Sequence, residues 1–348
     1  MISVTEPFLP PVRRAIVQPY VRYLPGRTGT TSEGLERVAA LGHDSSRPQP
    51  AVPGDRPARL VVGVVSAGRV GAALGAALER VGHVVGTALA VSDAARERAA
   101  RLLPDTRCTT SLADTVASAE LVLLAVPDTA LASVVAQIAE TGDDHRGRIV
   151  LHTAGAHGAE VLAPLAARGA MCAAVHPAMT FTDDPADVDR LAEACFGVTA
   201  GDEVAGAIAQ ALVLEIGGEP VPVAEADRVL YHAAMAHGAN HLVTLINDAV
   251  DVLAAALDRA PGHDPDRPEM AARMLAPLAA AALDNALRRG DGALTGPVAR
   301  GDGATVAAHL SAVQDLDPAL GAGYRAAALR TARRAHRPAV TAVIEETR

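Results

Sequence analysis

Lysine is missing altogether: all 31 basic residues of the 348-residue chain are arginine. That absence excludes Schiff-base catalysis by a lysine side chain, a P-loop nucleotide site and a lysine general acid, because a guanidinium replaces an ammonium in none of them. Aromatic residues are nearly as scarce, at 2%, with no Trp. Any core must therefore be built from Ala, Val and Leu. The 50% hydrophobic content is enough for one large or two ordinary domains. The three cysteines, Cys108, Cys172 and Cys195, form no CxxC or Cys/His ligand spacing. They read as reduced thiols of a cytoplasmic protein, and no metal site is expected.

Charge of the sign that polyanions need is also lacking. The net charge is −9, and the first 58 residues carry seven Arg against five acids. The remaining 290 hold 24 Arg against 35 acids, the wrong sign for a phosphate backbone, so no nucleic-acid partner is expected. The first residues contain no apolar run of signal-peptide type. No stretch is read as a membrane span, and no membrane partner is expected.

Residues 1–57 are rich in Pro, Gly, Ser, Thr and Arg without a period of 2 or 3.6, and read as a disordered or loosely attached extension. A basic interaction arm is the alternative. From Arg59 short β-branched runs (RLVVGVV, HVVGTALAV, AELVLLAVP, GRIVLHT, MCAAVHP) alternate with Ala-rich segments of helix length. Runs apolar on both faces belong to a parallel sheet covered on both sides. With FGVTA and EPVPV they predict an α/β, doubly wound parallel Rossmann sheet over 58–224. An all-α C-terminal domain follows over 225–348, with helices at 225–258, 268–290, 302–313 and 318–336. A 34-residue helix exceeds what one domain's core needs, so a homodimer through the helical domain is expected.

Gly63-Val64-Val65-Ser66-Ala67-Gly68-Arg69-Val70-Gly71 follows a strand and opens a helix. In the dinucleotide fingerprint the middle glycine lets backbone approach the pyrophosphate and the last lets helix and strand pack closely. Gly68 and Gly71 fill those places, and Ser66 stands where the first glycine would be. At the end of the second strand, Ser92 and Arg96 suit the 2′-phosphate of NADP. Asp93, one residue from Ser92, keeps NAD open. Val126, Pro127 and Thr153 belong to strand ends that would wall the nicotinamide, while Asp128 reads equally as a helix cap.

Polar groups for chemistry fall in three places. His152 and His176 sit at strand ends, each readable as a catalytic group or as an ordinary loop histidine. On the long helix, with His237 as zero, Asn240 falls at about 300°, His241 at about 40°, Thr244 at about 340° and Asp248 at about 20°. His232 lies off this stripe. The stripe reads as a substrate-facing wall, with a solvated or helix-pairing face as the alternative; His237 and His241 have metal spacing but no clear third ligand. Without Lys, His is the natural general acid. In LTGPVARGD, Arg300 suits a substrate carboxylate, against local pairing beside a cap made by Asp302.

GVVSAGRVG, LAVPD, LHTAG, VHPAMTF, the Tyr231-His232-Ala233-Ala234 opening of the helix and LTGPVARGD together resemble bacterial Rossmann-like proteins with an uncharacterised C-terminal helical domain. The resemblance covers 59–336 and implies an NADP-dependent or deazaflavin-dependent oxidoreductase. The layout is also similar to ketopantoate reductase and the β-hydroxyacid dehydrogenases, more distantly to pyrroline carboxylate reductase. Those relatives imply a catalytic Lys four residues before an Asn. Asn240 matches the Asn, but the other position is Ala236. The expectation is an NADP(H)-dependent reductase of a small carbonyl substrate such as a 2-oxo acid. His237 or His176 would give the proton, with His241 beside them. Asn240 would orient the carbonyl, and Arg300 and His232 would bind substrate. An NADP-binding sensor without turnover is the alternative.

Overall fold

The computed structural model describes residues 59–141, 144–258 and 267–347. The expected N-terminal extension lies outside them. The chain builds β1 (Val61–Val65), α1 (Arg69–Arg80), β2 (Val84–Leu89), α2 (Asp93–Leu102), β3 (Arg107–Thr109), α3 (Leu112–Ala117), β4 (Leu121–Leu124) and α4 (Asp128–Glu140). It continues with β5 (Ile149–His152), a 3-10 turn (Ala159–Leu162), α5 (Ala163–Ala166), β6 (Met171–Pro177), α6 (Asp187–Leu191), β7 (Cys195–Ala200), α7 (Glu203–Glu215) and β8 (Glu219–Pro222).

The eight strands form one sheet in the order β3-β2-β1-β4-β5-β6-β7-β8. Strands β1 to β6 pair in parallel as expected. β7 reverses against β6, a correction to the all-parallel reading. The reason is the connection: its one helix, α6, has five residues, too little for a crossover to the far edge, so the chain turns back from the edge where β6 ended. Both faces of the sheet are dry. In β4, Leu121 and Leu123 join a core with Leu74, Leu78, Phe196 and Val213, while Val122 and Leu124 join one with Leu131, Ile138 and Leu165. This two-sided burial is why the strands read as continuous apolar runs rather than alternating ones.

After β8 come a 3-10 turn (Glu225–Asp227) and the helices α8 (Arg228–Asp258), α9 (Arg267–Arg289), α10 (Pro297–Arg300), α11 (Gly303–Leu316), α12 (Pro318–Arg334) and α13 (Pro338–Glu346). The last was not read from the sequence. The described residues divide into two compact units that part inside α8, between Val243 and Thr244. In the second, Val298, Val306, Leu310, Ala328, Ala332, Val340 and Ile344 make a small core. Much of α8 and α9 is bare. Val229, Leu230 and Leu287 are 71%, 72% and 77% exposed, and Arg228 is the one fully buried residue of α8.

Residues 225–258 are long and apolar enough to cross a bilayer, with a mean hydropathy of 1.2 in the most apolar window. This qualifies the expectation that no such stretch exists. The same helix carries His237, Asn240, His241 and Asn247 mid-length. A hydrocarbon core penalises such groups.

Candidate functional site

The glycine turn has the geometry its sequence requires. A Cβ on Gly71 would collide with the Ser66 carbonyl oxygen and lie 2.9 Å from the Ala125 Cβ, so helix α1 can sit this close to the sheet only over a glycine. Ser66 has φ +83°, the left-handed region that favours glycine. A serine held there costs about 1 kcal/mol. Gly68 begins α1 with no side-chain cap, and Arg69 and Val70 form the first turn. The opening backbone N–H groups of the 12-residue helix thus have no side-chain acceptor.

At the end of β2, Ser92 caps α2, its Oγ accepting from the Ala95 N–H at 3.2 Å. Arg96 folds back over the strand end as the sequence suggested. Its guanidinium donates to the Val91 carbonyl at 2.7 Å and to Asp93 at 2.5 Å. Asp93 is therefore paired with a cation. Arg98 turns the other way. Its fork meets the Asp183 carboxylate at 2.7 and 2.6 Å and the Ala67 carbonyl at 3.2 Å, and Arg101 binds Asp183 as well. The two arginines hold the Asp183 carboxyl down at about 2. Nothing in the sequence pattern pointed to this clamp.

Val126 and Pro127 follow β4, and Thr153 follows β5, buried, its N–H donating to the Leu124 carbonyl at 3.1 Å. Asp128 is the first residue of α4 rather than its cap, and it accepts from the Ala156 N–H at 3.2 Å, joining two strand-end loops.

His152 is fully buried, and both its nitrogens are engaged. Nε2 donates to the Gly158 carbonyl at 2.8 Å and Nδ1 accepts from the Ala154 N–H at 3.1 Å. Burial and the Arg228 charge push its pKa down to about 4, so it is a neutral brace for the HTAG turn. His176 is half-buried at the end of β6. Burial, followed by His232 and Arg228, lowers it to about 4 as well. This recasts the proposed proton donor. At neutral pH the ring carries no imidazolium proton to release, and what it offers is a hydrogen-bond donor.

The donor is defined by its neighbours. Tyr231 lies 2.8 Å from His176 Nδ1, and the missing side chain of Gly197 makes room for its phenol. With the phenol O–H donating to Nδ1, the neutral imidazole is protonated on Nε2. That nitrogen would lie 3.0 Å from a Cβ on Gly155, and the His232 ring would collide with the same atom. His176 and His232 meet edge to face with centroids 5.9 Å apart.

Beneath this cluster Arg228 is 1% exposed. It donates to Thr199 Oγ1 at 2.8 Å and to the carbonyls of Gly197 and Ala174 at 3.1 and 3.3 Å, and lies 5.5 Å from the Tyr231 ring centroid. Its Nη1 has no hydrogen-bond partner, and among the described residues it forms no ion pair. A buried cation without a counter-charge carries a desolvation cost that stability alone does not justify. Glu225, three residues earlier, accepts from the Ala159 N–H at 2.7 Å and lies across Gly158.

The helix stripe lies apart from this cluster. At about 100° per residue from His237, Arg228 falls at about 180°, Tyr231 at about 120° and His232 at about 220°. The face of α8 that meets the strand ends is thus opposite the one carrying His237, Asn240 and His241. All three are exposed, and the two histidines bond to each other through their Nδ1 atoms at 2.8 Å. They do not join the His176 cluster within this chain. Among the described residues no group of three or more His, Cys, Asp or Glu converges as a metal site. Arg300, in the other unit, donates to the Thr295 carbonyl at 2.6 Å, and Asp302 caps α11 through Thr305 N–H at 3.1 Å, so local pairing holds in that loop.

A Rossmann-like domain profile matches residues 46–177, and that of a domain of unknown function, DUF2520, matches 194–331. The chain pairs a Rossmann-like domain with a DUF2520 domain. The profile boundary falls before β7, so the reversed strands belong to the second match. Crystal structures of the same fold include a candidate NADP oxidoreductase from Bacteroides fragilis, 21% identical, covering 79% of this chain and 98% of that one at a TM-score of 0.64. A Thermotoga maritima protein is 20% identical over 79% and 98%, with a TM-score of 0.59. A reductive aminase from Aspergillus terreus, in complex with NADPH and ethyl levulinate, is 17% identical over 84% and 100%, with a TM-score of 0.57. No curated protein matches the chain.

The sequence reading missed Tyr231, Arg228 and Gly155 as a unit. Tyr231 stood in the quoted opening of the long helix, and a lone tyrosine in an apolar chain with only four was the available signal.

Proposed function

We propose that the chain is an NADP(H)-dependent oxidoreductase that reduces a small carbonyl compound, with 2-oxo acids such as ketopantoate the first class to try. The observation that carries this reading is the Ser66–Gly71 turn, too tight for any side chain at Gly71 and open at Gly68, with Arg96 braced at the end of β2. A dinucleotide fits these residues. The N–H groups of Gly68, Arg69 and Val70 would meet the pyrophosphate, and Ser92 with Arg96 the 2′-phosphate, while Val126, Pro127 and Thr153 would wall the nicotinamide. NADPH, when bound, supplies the hydride. His176 would then donate a hydrogen bond to the substrate oxygen, which gains negative charge during reduction. The fold-mate complexed with NADPH supports the choice of cofactor.

Titration with NADPH and NADH, then NADPH oxidation across 2-oxo acids, cyclic imines and an added deazaflavin, tests the reading. NADPH is expected to bind at least tenfold more tightly than NADH, and Arg96→Ala to remove about tenfold of that preference. Equal binding of the two cofactors sinks the NADP assignment. Tight binding without turnover favours a sensor, a reading to which the outward-facing His237 and His241 lend weight.

The bare apolar surface of α8 and α9 supports a homodimer through these helices, since exposed patches of this kind mark interfaces. Light scattering at micromolar concentration should give twice the chain mass; a stable monomer rejects the dimer.

A further inference from the structure

We propose that Arg228 and Tyr231 are positioning residues that fix His176 as a neutral donor, its Nε2–H presented over Gly155 to an acceptor atom of the substrate. The inference rests on the reductase reading and narrows its substrate class. Three observations meet in it. The Tyr231 hydroxyl lies 2.8 Å from His176 Nδ1 and has a proton to give it. Nε2 lies against the bare backbone of residue 155, where a Cβ would come within 3.0 Å of it and where the His232 ring packs. Arg228 is sealed beneath with a hydroxyl and two carbonyls but no carboxylate, so its positive charge is left unneutralised by a direct partner.

Of the charged or titratable groups facing His176, Arg228 and His232 oppose its protonation, and the Asp128 carboxylate favours it more weakly. From α8 come Arg228, Tyr231 and His232; from α4 comes Asp128, itself occupied by the Ala156 N–H. The Arg228 charge opposes protonation of both His152 and His176, at two neighbouring strand ends. A fixed N–H donor over a cationic floor selects for a partner with a free lone pair and growing negative charge. A carbonyl oxygen has both. A protonated imine has neither, because its nitrogen is already a donor and already positive. The cluster therefore favours carbonyl compounds over iminium ions.

The test is nitrogen-15 NMR of the histidine rings in the full-length protein, with His176→Gln used to assign the signal. At pH 7 the His176 ring should be neutral with its proton on Nε2, and should titrate near about 4 rather than 6.5. Tyr231→Phe should let the Nδ1–H form appear. Arg228→Met should raise the midpoint by about half a unit or more. If Arg228→Met fails to fold, the wild-type spectrum and Tyr231→Phe decide alone. An Nδ1–H ring in the wild type, an ordinary midpoint near 6.5, or a spectrum unmoved by Tyr231→Phe overturns the proposal. Failure to bind NADPH with the expected spectrum sinks the reductase reading only; NADPH binding with the wrong spectrum sinks this inference only.

Discussion

Two pairs of histidines in this chain have opposite surroundings. His152 and His176 end adjacent strands, are wholly or largely removed from water, and spend their ring nitrogens on backbone or on Tyr231. His237 and His241 stand one turn apart on α8, exposed, bonded to each other. The sequence presents the second pair as the better candidate, because i, i+4 spacing on a helix is visible without a fold. The structure reverses the ranking, since what prepares a histidine for chemistry is the set of groups that fix its proton, and these arrive from four separate segments.

The sharpest way to break the comparison is to crowd His176 from the backbone of residue 155. Gly155→Ala would drive a methyl into His232 and to 3.0 Å from His176 Nε2. We expect NADPH oxidation with any substrate identified by the panel to fall at least a hundredfold while NADPH affinity changes by less than threefold, measured by steady-state kinetics and fluorescence titration. An unchanged rate would mean that the reacting atoms lie elsewhere.

Acid sensitivity should come next in size. His152 and His176 have folded pKa values near about 4, below the ordinary 6.5. Folding therefore requires both rings to stay neutral where the unfolded chain would protonate them. Their stability contribution is complete above about pH 6.5 and is lost as the pH falls toward 4, by up to about 3 kcal/mol for each ring. Urea unfolding at pH 7 and pH 4.5 checks this, and His152→Gln should flatten part of the slope. A pH-independent midpoint over that window would contradict the burial argument.

The smallest effect belongs to the helix pair. His237→Ala with His241→Ala should leave NADPH affinity and the acid midpoint within about twofold, because exposed side chains on the far face of α8 touch neither. A large loss would restore the stripe to the site, through a second copy of the chain.

Much of the fold was legible. The β-branched runs, the Ser66–Gly71 turn and the foldback of Arg96 follow from residue types at short range, where backbone sterics and helix termini dictate the answer. The reversal at β7 was not, since it depends on a connection too short for a crossover, and no residue between Ala178 and Ala194 announces it. The donor cluster was half legible. His176 and His232 were picked out, but the residues that give them meaning, Gly155, Tyr231 and Arg228, are separated by up to 76 positions and meet only once β5, β6, β7 and α8 are assembled.

The Arg98–Asp183–Arg101 clamp has one further consequence. Asp183 sits seven residues beyond His176, in the loop that follows β6, and the guanidinium that grips it also holds the carbonyl of Ala67, between Ser66 and Gly68. The segment carrying the donor is thereby lashed to the turn that would meet the pyrophosphate. Ordering either end quiets the other, so cofactor and substrate occupancy should reinforce each other through a single buried arginine.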